Sequence, residues 1–164
     1  MEKSSGRSWE EIAQGELRFE ENLTSGSDNL HPISVYTASK LHHAPLWHRL
    51  AIAWPEIHFT ARWPTNFVGP EGRPLYPEDS PAHAQVFWQQ DVQDIENSNV
   101  LLCYAEGSDV LRGALVEVGI ALALSRHVIV VGESDCYGTW QYHKNVLRVK
   151  DLLEARNLLQ LLSS

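Results

Sequence analysis

At 164 residues the chain is long enough for one domain with a sizeable core. Its 43% apolar and 21% charged residues fit an ordinary soluble protein. A formal charge of −8 argues against a nucleic-acid duplex or an anionic membrane surface as the main partner, though a local cluster could still hold a small anion. The longest strongly apolar run, "ALVEVGIALAL", is too short to span a bilayer. The opening "MEKSSGRSWEE" has no apolar signal core. Cys103 and Cys136 lack C-x-x-C spacing and suit a reducing compartment better than a disulfide framework. A cytoplasmic protein with no membrane partner is expected.

Residues 1–30 read as an appendage, with "SWEEIAQGELRFEENL" as a short helix capped by Ser8 and "TSGSDN" as a linker. The domain proper, 31–164, begins with the strand "ISVYTAS". Next comes the helix "APLWHRLAIAW", which Pro55 ends, and then the strand candidate "IHFTARW". Residues 64–85 carry five prolines and two glycines and predict a long irregular loop of the kind used as a lid. After it come the helix "VFWQQDVQDIENS", the strand "NVLLCYA" and the helix "LRGALVEVGIALALSR". The strand "HVIVVGE", a turn, the short strand "VLRV" and the helix "DLLEARNLLQLL" complete the chain. Strands alternate with helices, and several strands are almost continuously apolar. This pattern predicts an α/β fold: a single doubly wound, mostly parallel sheet of about five strands, flavodoxin- or Rossmann-like.

In open α/β sheets ligands bind beyond the carboxyl ends of the strands. Three segments fall there: "TASKLHH", "EGSDVLRG" and "ESDCYGTW". Neither G-x-G-x-x-G nor G-x-x-x-x-G-K occurs, which disfavours a standard NAD dehydrogenase or a P-loop NTPase. No cofactor is expected.

Glu117 is the most conspicuous residue. On a helix it shares its face with Gly113, Ala114, Ile120, Ala121 and Leu124, and a carboxylate there needs a partner or a chemical role. A partner such as Arg112 would make it structural. In the preceding helix Asp91 falls among Phe87, Trp88, Val92 and Ile95, while Asp94 lies with Gln90, Asn97 and Ser98 on what reads as a polar face. Asp91 could instead be a structural carboxylate bonded to a nearby backbone or hydroxyl group. Asp109, just before the Glu117 helix, reads first as its N-cap and second as a ligand contact. Tyr36 reads as core. Lys40, His42, His43 and His48 predict no metal centre, because adjacent histidines point apart on most backbones and no acidic or cysteine partner has ligand spacing. Ser39, Lys40, His42 and His43 open a helix, and with Ser108 from the neighbouring loop they could seat a phosphate. A solvated basic turn is the alternative. The Glu117 helix is apolar nearly all round, so a homo-oligomer, a dimer or a pair of dimers, is expected.

From about residue 33 to 150 the chain resembles the nucleoside 2-deoxyribosyltransferase superfamily, which includes nucleotide N-glycoside hydrolases. The resemblance rests on "SVYTAS", "QQDVQDIENSNVLLCYAEGSD" and "GALVEVGIALA"; "YTASKLHHAPLWHRL" and "FTARWP" look like deoxyribosyltransferase-like members. It implies a nucleophilic Glu117, a base-contacting or proton-donating Asp91, and Tyr36 orienting the glutamate. It implies also that Gly113 lets a sugar approach the helix and that Asp109 belongs to the ligand-binding loop, although its spacing from the glutamate departs from the family pattern. The expected partner is a small-molecule nucleoside or nucleotide. An NAD-type nucleotide glycohydrolase and a non-catalytic nucleotide-binding or sensing domain are the competing readings.

Overall fold

The structure is a computed structural model that describes residues 32–67 and 81–163. The appendage expected at 1–30 and the middle of the expected lid lie outside these residues. The described part is built on one sheet of five parallel strands: β1 (Ser34–Ala38), β2 (His58–Phe59), β3 (Val100–Tyr104), β4 (His127–Val131) and β5 (Val146–Val149). The strand order is β2-β1-β3-β4-β5, the doubly wound arrangement expected from the alternation of elements.

Val100, Leu101, Leu102 and Cys103 are consecutive and have no exposed surface. Successive strand residues point to opposite faces, so this run requires cover on both sides of the sheet. Val128, Ile129 and Val130 in β4 repeat the pattern. The cover comes from helices α1 (Ala44–Ala53), α3 (Pro81–Glu96), α4 (Gly113–Ala123) and α5 (Leu152–Leu162), with the single-turn helix α2 (Trp63–Asn66) beside α1. Helix α4 packs against β1, β3 and β4 as well as against α3, and α5 lies against β4 and β5. Among the described residues no helix is long and apolar enough to cross a membrane.

Local chemistry sets several boundaries. Asp151 caps α5 by accepting the Glu154 amide at 2.9 Å. Helix α4 ends in a Schellman turn, in which the Arg126 amide donates to the Ala121 carbonyl and that of Ser125 to Leu122. The turn places Ser125 at φ 58°, a conformation that usually selects glycine. Gly132, directly after β4, takes φ 74° as its amide reaches the Val149 carbonyl at 2.7 Å. Cys103 and Cys136 are free thiols.

Two expectations change. The strand candidate "IHFTARW" contributes only His58 and Phe59 to the sheet; its last ladder bond runs from the Thr60 amide to the Val35 carbonyl. Beyond it the Arg62 amide turns to the Asp94 carboxylate, and α2 begins at Trp63 with Pro64 in its first turn. The proline-rich segment 64–85 is also helical at both ends, because proline is well suited to a helix's first turn: α2 takes its first residues, and α3 starts at Pro81.

Candidate active site

The chain leaves β1 for β2 on one side and returns to β3 on the other. The switch in strand order therefore lies between β1 and β3. Beyond their carboxyl ends run the segments 39–43 and 105–112, two of the three that the sequence marks.

Tyr36 is fully buried in β1, and its hydroxyl donates to Glu117 Oε1 on α4 at 3.0 Å. It is core, as its residue type indicated, and its polar end is bonded to Glu117. Glu117 is 8% exposed, and so is Asp91 on α3. The packing of α3 on α4 brings the two carboxyl groups together. Asp91 Oδ1 is buried with no hydrogen-bond partner among the described residues.

Burial pushes the Glu117 carboxyl up to about 8; the neighbouring Asp91 charge adds to this, and the Tyr36 hydrogen bond works against it. Burial likewise raises Asp91 to about 7, with the Asp94 charge pushing further up and the Tyr36 hydroxyl and Arg62 pulling down. The Tyr36 phenol is itself held well above its ordinary value, by burial first and then by both carboxylates, so it stays a donor. Both carboxyl groups are thus moved into the neutral range, and ionisation of Asp91 holds back that of Glu117. Such a pair can present an anion and an acid at once.

Asp94 corrects the sequence expectation. It is buried at 4% exposure and does not sit on a solvated face. Arg62 holds it through its backbone amide to Oδ2 at 2.9 Å and its Nε to Oδ1 at 2.8 Å. Asp91 and Asp94 are three residues apart and share one side of α3, a spacing that is visible in the sequence. Arg62 comes from 32 residues away and is not.

Asp109 does not cap α4. The N-cap position is Arg112, which makes no side-chain cap bond. Asp109 instead accepts His43 Nε2 and the Glu106 amide, both on Oδ2, at 2.6 and 3.0 Å. Burial pushes this carboxyl up, but the His43 hydrogen bond, the amide and the charges of both histidines outweigh it and leave the net shift downward. The adjacent histidines do not point apart: His42 Nε2 also faces Asp109, 3.5 Å from Oδ1. The structure thus supplies the acidic partner that sequence spacing did not.

The groups considered for a phosphate seat flank this cluster. The Ser39 hydroxyl accepts Trp47 Nε1 at 2.8 Å and donates to the Lys40 carbonyl at 3.1 Å, so it is engaged internally. Lys40 and Ser108 are exposed. Gly113 is exposed at the first position of α4, and a Cβ built there would meet no atom of the described residues beyond its own helix and neighbours within 4 Å. Trp63, not singled out from the sequence, donates its indole N–H to the Thr37 carbonyl at 2.7 Å and braces the end of β1.

No family model matches the chain, and no curated protein matches it. Among solved structures it is similar to one described as Clostridium botulinum CMP N-glycosidase, BcmB. That match has a TM-score of 0.49 and 16% sequence identity, and covers 78% of this chain and 98% of that chain.

Proposed function

We propose that the protein cleaves the N-glycosidic bond of a (deoxy)nucleoside or nucleoside 5′-monophosphate and passes the sugar to another base or to water. The observation that carries this reading is the buried Tyr36–Glu117 hydrogen bond with Asp91 beside it. The resemblance of "SVYTAS", "QQDVQDIENS" and "GALVEVGIALA" to deoxyribosyltransferases supports it.

In the reactive form Asp91 carries a proton and Glu117 the charge, which the Tyr36 hydroxyl stabilises. As the C1′–N bond breaks, its electron pair leaves with the base, and the base nitrogen takes the Asp91 proton. The sugar passes through an oxocarbenium-like state, and Glu117 closes on C1′ to form a glycosyl ester. Water or a second base then attacks C1′ and gives its proton to Asp91, and Glu117 departs as a carboxylate. Atoms and charges balance with no redox partner.

For a 5′-phosphate, the exposed Lys40 and Ser108 are the available donors, since Ser39 and His43 are bonded elsewhere. Asp109 and Gly113 complete the sugar side of the site in this reading. The test is incubation with a panel of nucleosides and their 5′-monophosphates, with free base followed by chromatography. Release of base from at least one member is expected. A panel that binds without turnover would overturn the reading and leave a nucleotide-sensing domain.

A further inference from the structure

We propose that His42, His43 and Asp109 form a binding site for a divalent transition-metal ion of the zinc, cobalt or nickel class. One nitrogen or oxygen from each residue lies within 4.8 Å of the others. The two imidazoles come from the 3-10 turn Leu41–His43 after β1, and the carboxylate from the loop after β3. Neighbouring strands of the sheet thus deliver the groups, as they would for a ligand at the switch point.

The arrangement is more than one ion pair. His43 and Asp109 have nearly buried side chains and a direct hydrogen bond of 2.6 Å, sufficient to satisfy both. That bond does not account for His42, whose side chain is 55% exposed yet holds its ring centroid 4.0 Å from that of His43, with Nε2 toward the second Asp109 oxygen. At 3.5 Å this contact is too long for a hydrogen bond of normal strength, but it suits two ligands of one tetrahedral ion. The His43–Asp109 pair, 2.6 Å apart, would open by roughly 0.7 Å to admit the metal, given tetrahedral bonds of about 2 Å to each ligand.

The supports resemble those around metal ligands. The Glu106 amide fixes Asp109 Oδ2, and the Tyr104 ring meets the His43 ring edge-on at 5.0 Å. Imidazole with a single carboxylate favours zinc, cobalt, nickel or copper over magnesium or calcium, which prefer all-oxygen sites. Three protein ligands leave a tetrahedral ion one position for water or a substrate oxygen. The site does not depend on the glycosidic reading, because binding is read without turnover.

The test uses the full chain, untagged and stripped with a chelator. Zn²⁺ is titrated by calorimetry and Co²⁺ by its visible absorption. One equivalent should bind, with tetrahedral-type cobalt bands. His42→Ala should weaken binding by roughly tenfold, and His43→Ala or Asp109→Asn by about a hundredfold or more, as first ligands are lost. Circular dichroism verifies the fold of each variant. His42→Ala changes only an exposed side chain, so it decides the matter if a buried variant fails to fold. Absence of saturable binding, or equal affinity in wild type and His42→Ala, would overturn the proposal.

Discussion

Tyr36 has one hydroxyl proton, and two buried carboxyl groups compete for its influence. It donates to Glu117 and also lowers Asp91, so both carboxyl groups are drawn toward the anion by the one hydroxyl, and the proposed mechanism needs the proton on Asp91 when the sugar is attacked. A pair that must hold one proton gives a bell-shaped rate profile. With Asp91 raised to about 7 and Glu117 to about 8, kcat/KM should rise through the lower value and fall beyond the upper. Below the bell both groups are protonated and the nucleophile has no charge; above it both are ionised and no proton is left for the base. Asp91→Asn should remove the alkaline fall and leave a single rise, because Glu117 then ionises alone, below about 8 without the neighbouring charge but still above the ordinary carboxylate range through burial. Its maximal rate should drop by about a hundredfold for bases that need a proton to leave. A pH–rate profile unchanged in this variant would mean that Asp91 is not the acid.

The same burial makes Glu117 costly to the fold. Its folded pKa is raised, so the native state holds the proton more tightly than the unfolded chain, and stability is lost as pH rises from the ordinary carboxylate range through about 8. Glu117→Gln removes that loss. The variant should melt close to wild type at about pH 5 and several degrees above it at about pH 9. A melting-temperature difference that does not grow with pH would contradict the burial argument.

Helix α4 begins at Gly113, where nothing among the described residues demands a glycine: a Cβ would meet none of their atoms within 4 Å. Gly113→Ala should therefore fold normally and gain about 0.5 kcal/mol from reduced unfolded-state freedom. If a sugar must lie against the start of α4, the same change should lower kcat/KM by about tenfold or more. Chemical denaturation and base-release kinetics on one sample check both halves, and full activity would remove Gly113 from the substrate site. At this scale the sequence was legible where the signal is local. The apolar runs of β3 and β4 and the buried faces that carry Asp91 on α3 and Glu117 on α4 depend only on periodicity. The pairing of Asp94 with Arg62 and of Asp109 with His43 spans 32 and 66 residues, and no local pattern encodes such distances. The start of α3 is hidden for another reason: proline can open a helix as well as end one, so Pro81 reads equally as loop.

Across the whole molecule, two helices that pack together present exposed apolar side chains, Val86 and Trp88 on α3 and Val116 on α4. A second copy of the chain would cover such a surface, and we expect light scattering to give at least twice the 18.5 kDa of one chain. Val116→Asp should then shift the mass toward the single chain, whereas a wild-type monomer at micromolar concentration would contradict the expectation. The account as a whole stands on Glu117 forming a bond to the sugar. Incubation of the protein with a 2-fluorinated nucleoside or nucleotide, whose glycosyl ester hydrolyses slowly, followed by intact-mass and peptide analysis, tests this most directly. The account predicts a mass increase of one fluorosugar per chain, located on Glu117 and absent from Glu117→Ala, which should also retain less than about a tenth of the wild-type rate of base release. An adduct on another residue, or base release by Glu117→Ala at a rate close to wild type, would contradict it.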